Sequence, residues 1–199
     1  MSKIITAIFI CFISICSLKA QTKILEQDYY AFNKGDVIKF EQEGDTLQIS
    51  RCTDLQTCKV NPRVKALILK DSVINKNTRK LVLENVMSKT NSVRTKEVVL
   101  IDYDNGRKGI DENYQNYINN KSKIVTLYPI SELEKLKPIA QMSAAEAKDI
   151  LNDFDAHVAA EDKKGREYDI ENSTMFNNLV IAKGYSPVNA DTEVVRKAE

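Results

Sequence analysis

Val37-Ile38-Lys39-Phe40-Glu41-Gln42-Glu43-Gly44-Asp45-Thr46-Leu47-Gln48-Ile49-Ser50 decides the fold class. Ile38 and Phe40 share one face of the first half, and Leu47 and Ile49 share one face of the second. Alternation with a period of two is the pattern of a half-buried strand. Glu43-Gly44-Asp45 between the halves supplies the glycine that a tight hairpin needs. The stretch therefore predicts two antiparallel strands, and the upstream cluster Asn33-Lys34-Gly35-Asp36 predicts a turn.

Downstream, three further segments read as strands: Lys65 to Ile74 with Leu67-Ile68-Leu69, Lys80 to Val86 with Leu81-Val82-Leu83, and Glu97 to Tyr103 with Val98-Val99-Leu100-Ile101. Short continuous apolar runs predict strands covered on both faces. Lys123 to Leu127 reads as a last strand, stopped by Pro129, after a short polar helix in Asp111 to Asn120. Upstream, Lys23 to Phe32 reads as a short helix or an extended lead-in whose Tyr29, Tyr30 and Phe32 dock on the rest.

From Ser131 the period changes to that of a helix. Ser131-Glu132-Leu133-Glu134 has the spacing of a capping box for a short helix ended by Pro138, and Ser143-Ala144-Ala145-Glu146 has the same spacing for a long one running to about Lys164, before Gly165. Ala147, Ile150, Leu151, Phe154 and Val158 form an apolar stripe predicted to lie on the sheet. A third helix, Thr174 to Lys183, is capped by Gly184. From Pro187 the sequence predicts a loosely held tail, with Val194-Val195 able to continue a short helix.

The N-terminus carries an address. Met1-Ser2-Lys3 is a basic head, Ile4 to Ile15 is apolar but for Thr6 and Ser14, and Ser17-Leu18-Lys19-Ala20 shifts to polar and ends small, the pattern of a secretory signal cut before Gln21. Ile4 to Leu18 is shorter than the roughly 20 apolar residues of a membrane span. Cys16 sits where a lipidated cysteine would, but bulky Ile15 precedes it. Export governs the reading of the cysteines remaining after cleavage, Cys52 and Cys58, which are expected to form a disulfide. A ring of that size contributes about 2.4 kcal/mol on the chain-entropy description, and the spacing is not that of a Cys-x-x-Cys redox pair.

Charge is unevenly spread. Residues 51–110 carry 13 basic and 6 acidic side chains, while residues 111–199 carry 11 and 16. The basic segment holds one aromatic residue, Tyr103. Single-stranded nucleic acid is gripped by aromatic stacking platforms, so the pattern argues for charge pairing within the fold rather than for a nucleic-acid partner.

The candidate chemistry is sparse. Asp149, Asp153 and His157 recur every four residues on the long helix, as in half of a metal site or an Asp-supported general base, but the same pattern suits a solvated face. His157 is the single histidine, too few for common zinc sets. Asp102, Asp104, Asn105 and Asp111 have the composition of a calcium loop, yet neither register supplies both the glycine and the final glutamate of an EF-hand, and a turn explains them equally. No Gly-x-Ser-x-Gly elbow and no glycine-rich phosphate loop occurs. Trp, the usual floor of a sugar cleft, is absent.

The segment Lys34-Gly35-Asp36-Val37-Ile38-Lys39-Phe40 resembles the opening strand of small SH3-like barrels. The sequence as a whole predicts an α+β protein: a signal over residues 1–20, a lead-in over 21–32, a curved antiparallel sheet or small open barrel of about five or six strands over 33–128, two or three packed helices over 129–184 in the same domain, and a tail over 185–199. Without catalytic, metal or cofactor signatures, the functional expectation is a periplasmic or secreted bacterial binding or structural module that engages another envelope or extracellular protein through a sheet edge or the basic middle. The alternatives are a carrier of a small apolar ligand held between sheet and helices, and a hydrolase built on Asp149, Asp153 and His157.

Overall fold

The computed structural model describes residues 23–33, 36–52, 55, 64–85, 95–121, 123–163 and 174–199. The signal segment, Cys16, Cys58 and Gly165 lie outside them. Eight antiparallel strands follow one another around a closed barrel: β1 (Tyr29–Asn33), β2 (Asp36–Glu43), β3 (Thr46–Cys52), β4 (Val64–Asn75), β5 (Thr78–Asn85), β6 (Thr95–Asp102), β7 (Lys108–Asp111) and β8 (Val125–Pro129), with β8 pairing back onto β1. The α+β class holds, and the sheet is a closed eight-stranded barrel rather than an open one of five or six strands.

The hairpin that decides the class forms as expected, with Phe40 opposite Ile49 and Gln42 opposite Leu47. Gly44, at the first central position of its turn, has φ 58°, a value glycine takes without penalty. Residues 36–40 begin β2, the second strand of the meander, so the likeness to an SH3-like opening strand goes no further than local pattern.

Two strands account for the closure. β1 comes from the lead-in, with Tyr29 and Ala31 inside the barrel and Tyr30 among the residues packed outside it. β7 is Lys108-Gly109-Ile110-Asp111, buried throughout. A Cβ at Gly109 would come within 2.7 Å of both Ile124 Cγ2 and Tyr103 Oη, so this close approach requires glycine.

An eight-stranded barrel is just wide enough for side chains to fill its interior. Phe40, Leu47, Ala66, Leu81, Leu83, Val98, Leu100, Ile110 and Leu127 do so here. Ile24 and Leu25 join the same core from the segment preceding β1, and their backbone N–H groups donate to Gln42 Oε1 at 2.8 and 3.0 Å.

The helices are α1 (Tyr114–Ile118), α2 (Ile130–Leu133), α3 (Ala144–Asp162), α4 (Thr174–Ala182) and α5 (Ala190–Ala198), with a 3-10 turn at Ile139–Gln141. The apolar stripe of α3 does not lie on the sheet as expected. Ala147, Ile150 and Phe154 pack with Phe176 and Val180 of α4 and Ala190 and Val194 of α5, giving the helices a core of their own. The tail is not loosely held as expected: it forms α5, the short helix that Val194-Val195 allows, with Ala190 and Val194 buried in that core. A third cluster joins the two parts: Tyr30, Val37, Cys52 and Tyr128 on the barrel's outer face, with Leu133 and Ile181 from α2 and α4. The Tyr128 hydroxyl donates to Asn178 Oδ1, and Asn177 Nδ2 donates to the carbonyl of Phe32 at 3.4 Å.

Only one expected capping box forms. Ser131 is the second residue of α2, which follows directly from Pro129 at the end of β8 without a side-chain cap. At Ser143 the box is complete: Glu146 N–H donates to Ser143 Oγ at 3.2 Å, and the Ser143 N–H and hydroxyl donate to Glu146 Oε2 at 2.9 and 2.7 Å. The Tyr185 hydroxyl donates to the same carboxylate at 3.0 Å. These donors, Ser143 foremost, hold the Glu146 carboxyl down at about 2. A pKa lowered in the folded state contributes stability above the unfolded value and loses it as pH falls through the folded one. The start of α3 is therefore expected to weaken between about pH 4.5 and pH 2, and Glu146→Gln to abolish that part of the acid transition, followed by helical circular dichroism across this range.

Candidate functional site

Asp149, Asp153 and His157 lie on α3 at four-residue intervals, each about 6 Å further along the axis. Asp149 and Asp153 are exposed, His157 is half-buried, and Asp149 accepts from Lys183 Nζ at 3.3 Å. A stripe of this kind does not converge on a point. Among the described residues no group of three His, Cys, Asp or Glu is placed to hold a metal ion.

The Asp102 to Asp111 segment runs from the end of β6 through a turn into β7; Asp102, Asn105 and Asp111 Oδ1 are engaged locally, while Asp111 Oδ2 is buried without a hydrogen-bond partner among the described residues. Gly106 N–H donates to the Tyr103 carbonyl at 3.0 Å, Arg107 N–H to Asn105 Oδ1 at 3.1 Å, and Asn113 N–H to Asp111 Oδ1 at 2.8 Å. Asp102 pairs with Lys108 Nζ at 2.6 Å. Lys108 is buried inside the barrel's base, where Glu26 reaches it at 3.2 Å and the Tyr29 ring lies 5.4 Å below its ammonium. This lysine and its carboxylates tie the segment before β1 to β6 and β7.

Many of the basic side chains of residues 51–110 are paired within the fold. Arg51 meets Asp36, Arg79 meets Asp71, Lys80 meets Glu97, Lys96 meets Glu112, and Arg107 meets Glu132. Arg107 binds Glu132 through two nitrogens, at 3.1 and 2.7 Å, and its guanidinium lies 4.9 Å from the Tyr128 ring. Beside it is an open polar cleft of about 270 Å³, with Gln27, Asn105, Ser131 and Lys135 on its walls. The ion pair neutralises the cleft's arginine, leaving Lys135, which makes no ion pair among the described residues, as its remaining cation.

β4 lies where the sequence predicts a strand, within one residue at each end, but it is not buried on both faces. Ladder pairing with β3 ends at Thr46 opposite Leu67, while pairing with β5 continues to Asn75 opposite Thr78. Residues 69–75 thus project past the β2–β3 hairpin with β5 on one side and, among the described residues, no strand on the other. Leu69 is not buried on both faces as expected. The register shifts between Ile68 and Lys70 and again between Val73 and Asn75, making Leu69 and Ile74 bulge residues. Leu69, Val73 and Ile74 are 48, 69 and 41 % exposed. Sequence periodicity cannot reveal this, because a bulge resets the alternation it depends on.

The fold and its exposed features define a class: a side-chain-filled, eight-stranded up-and-down barrel with a helical layer on one flank and a projecting strand edge opposite. Comparison with family models, curated proteins and solved structures finds no match to this chain. Among the described residues no helix is long and apolar enough to cross a membrane.

Proposed function

We propose that this chain is an exported, non-catalytic interaction module that docks onto another envelope or extracellular protein through the projecting edge of β4. The observation that carries the reading is the exposure of Leu69, Val73 and Ile74 together on a strand segment whose outer edge has no partner among the described residues. An open strand edge is a template for pairing, and these exposed apolar residues lie along it. Export rests on the leader pattern of residues 1–20. A Cys52–Cys58 disulfide belongs to the same reading: Cys52 is buried at the end of β3, where a local staple would fix the chain's exit from the strand. The ligand-carrier alternative finds less support, since apolar side chains occupy both the barrel axis and the seam between barrel and helices.

A photo-crosslinking amino acid at position 73 tests the reading, with position 155 on the exposed face of α3 as control. In cells of the native host, position 73 is expected to give a discrete adduct with one partner and position 155 none. Equal adduct patterns from the two positions would sink the proposal.

A further inference from the structure

We infer that the β4 edge takes a short extended peptide segment in which apolar residues alternate with acidic ones, added as an extra strand alongside residues 69–75. The inference rests on the docking reading above and goes further by naming the ligand chemistry and the mode of binding. An edge strand offers main-chain donors and acceptors that an extended segment satisfies, while alternate side chains supply selectivity. The apolar contacts available are Leu69, Val73 and Ile74.

Charge selects the occupant. Asp71, the acidic residue of this stretch, is neutralised by Arg79. Lys70 and Lys76 are exposed and make no ion pair among the described residues. The edge therefore presents two unneutralised cations beside its apolar residues, against one exposed carboxylate, that of Asp45 at the hairpin tip, the residue whose carbonyl accepts from Ile68 N–H at 2.8 Å. A second copy of the chain pairing edge to edge would bring four such lysines onto one ribbon, and like charges across a strand pair are destabilising. A partner strand carrying carboxylates meets the same lysines with opposite sign. The bulges at Leu69 and Ile74 leave a regular stretch between them and interrupt the ladder on either side. That geometry suits a short strand and resists open-ended stacking.

The test uses the full mature chain and three peptide probes: acetyl-Val-Glu-Val-Glu-Val-Glu-Val-amide, its Lys-for-Glu counterpart, and the Glu peptide N-methylated at alternate residues. The Glu peptide is expected to slow amide hydrogen exchange within residues 69–75 by more than tenfold, and the other two to leave it unchanged. The double variant K70E/K76E is expected to reverse the preference between the Glu and Lys peptides. Equal protection by the N-methylated peptide would overturn strand addition, and equal protection by the Lys peptide would overturn charge selection. Concentration-dependent protection of the same amides without peptide, with dimers in sedimentation, would replace the inference by self-pairing. If no peptide protects the edge while position 73 still cross-links to a partner, the inference fails and the docking reading stands; if cross-linking fails as well, both fall.

Discussion

Phe176→Ala is expected to cost about 3–5 kcal/mol, the range for truncating a buried phenylalanine, and to spend that loss on the helices rather than on the barrel. Phe176 is 1 % exposed and meets Phe154 edge to face, with ring centroids 5.4 Å apart. Its cluster draws on α3, α4, α5, the turn before α3 and Tyr185 between α4 and α5, and among the described residues contains none from the eight strands. The residues of α4 that hold the barrel are different ones: Ile181 in the connecting cluster, Asn178 on the Tyr128 hydroxyl and Asn177 on the Phe32 carbonyl. Burial keeps the Tyr128 hydroxyl protonated well above its ordinary range, so it remains a donor to Asn178 at any ordinary pH. Native-state hydrogen exchange should then show amides of α3 and α5 opening at a much lower free energy in the variant, with those of β5 and β6 close to their original protection. A barrel that loses protection in step with the helices would show that the two cores are one.

The division into two cores also explains which parts of the molecule are legible in sequence. The β2–β3 hairpin announces itself because Ile38, Phe40, Leu47 and Ile49, all turned to the barrel core, alternate with polar residues, and its turn needs Gly44. β1 does not, because Tyr29 and Ala31 face the barrel interior while Tyr30 lies in the cluster under the helices. Burial on both faces erases the alternation, and an aromatic run with no period reads equally as helix or strand. β7 is hidden for the opposite reason. Its buried residues include Lys108 and Asp111, charged side chains that break the apolar pattern by which a buried strand is read; Lys108 is held by Asp102 at 2.6 Å and by Glu26 at 3.2 Å. With those two strands unseen, a closed barrel reads as an open sheet. The same logic misdirects the α3 stripe: periodicity shows that a helix has a dry face but not what the face meets, and here it meets α4 and α5.

The candidate site was less legible than the fold. Asp149, Asp153 and His157 share a helix face, as their spacing requires, but shared spacing gives adjacency along a line, whereas a metal or a catalytic base needs convergence from several elements. The projecting edge of β4 depends on where β3 begins relative to β4, a register that no local pattern encodes. Leu67-Ile68-Leu69 looks like a strand buried on both faces, but Leu67 and Ile68 are half-buried and Leu69, at the bulge, is 48 % exposed.

The seam that closes the barrel is the second place where one substitution should have a large and localised effect. β8 meets β1 through only Tyr29 opposite Pro129 and Tyr30 opposite Tyr128, and meets β7 through Lys108–Leu127, Gly109–Thr126 and Ile110–Val125. Leu127 is 1 % exposed at the end of this short ladder, across from Lys108. Leu127→Ala is expected to cost about 2–5 kcal/mol through lost burial and the void left behind, with the void lying against the strand pairing that has least to lose before it opens. Amides of β8 and β1 should exchange first, and the helices should loosen with them, because Tyr128 and Phe32 sit on those two strands. Leu81→Ala serves as the control. Leu81 is equally buried but lies in β5, which is paired along its length with both β4 and β6. A similar loss of stability is expected there without early opening of the seam, and identical exchange patterns in the two variants would disprove a weak closure. β4 stands four strands from β8 in the order of the barrel. At temperatures where Leu127→Ala remains folded, cross-linking from position 73 should therefore persist, separating the surface that meets a partner from the seam that carries the helices.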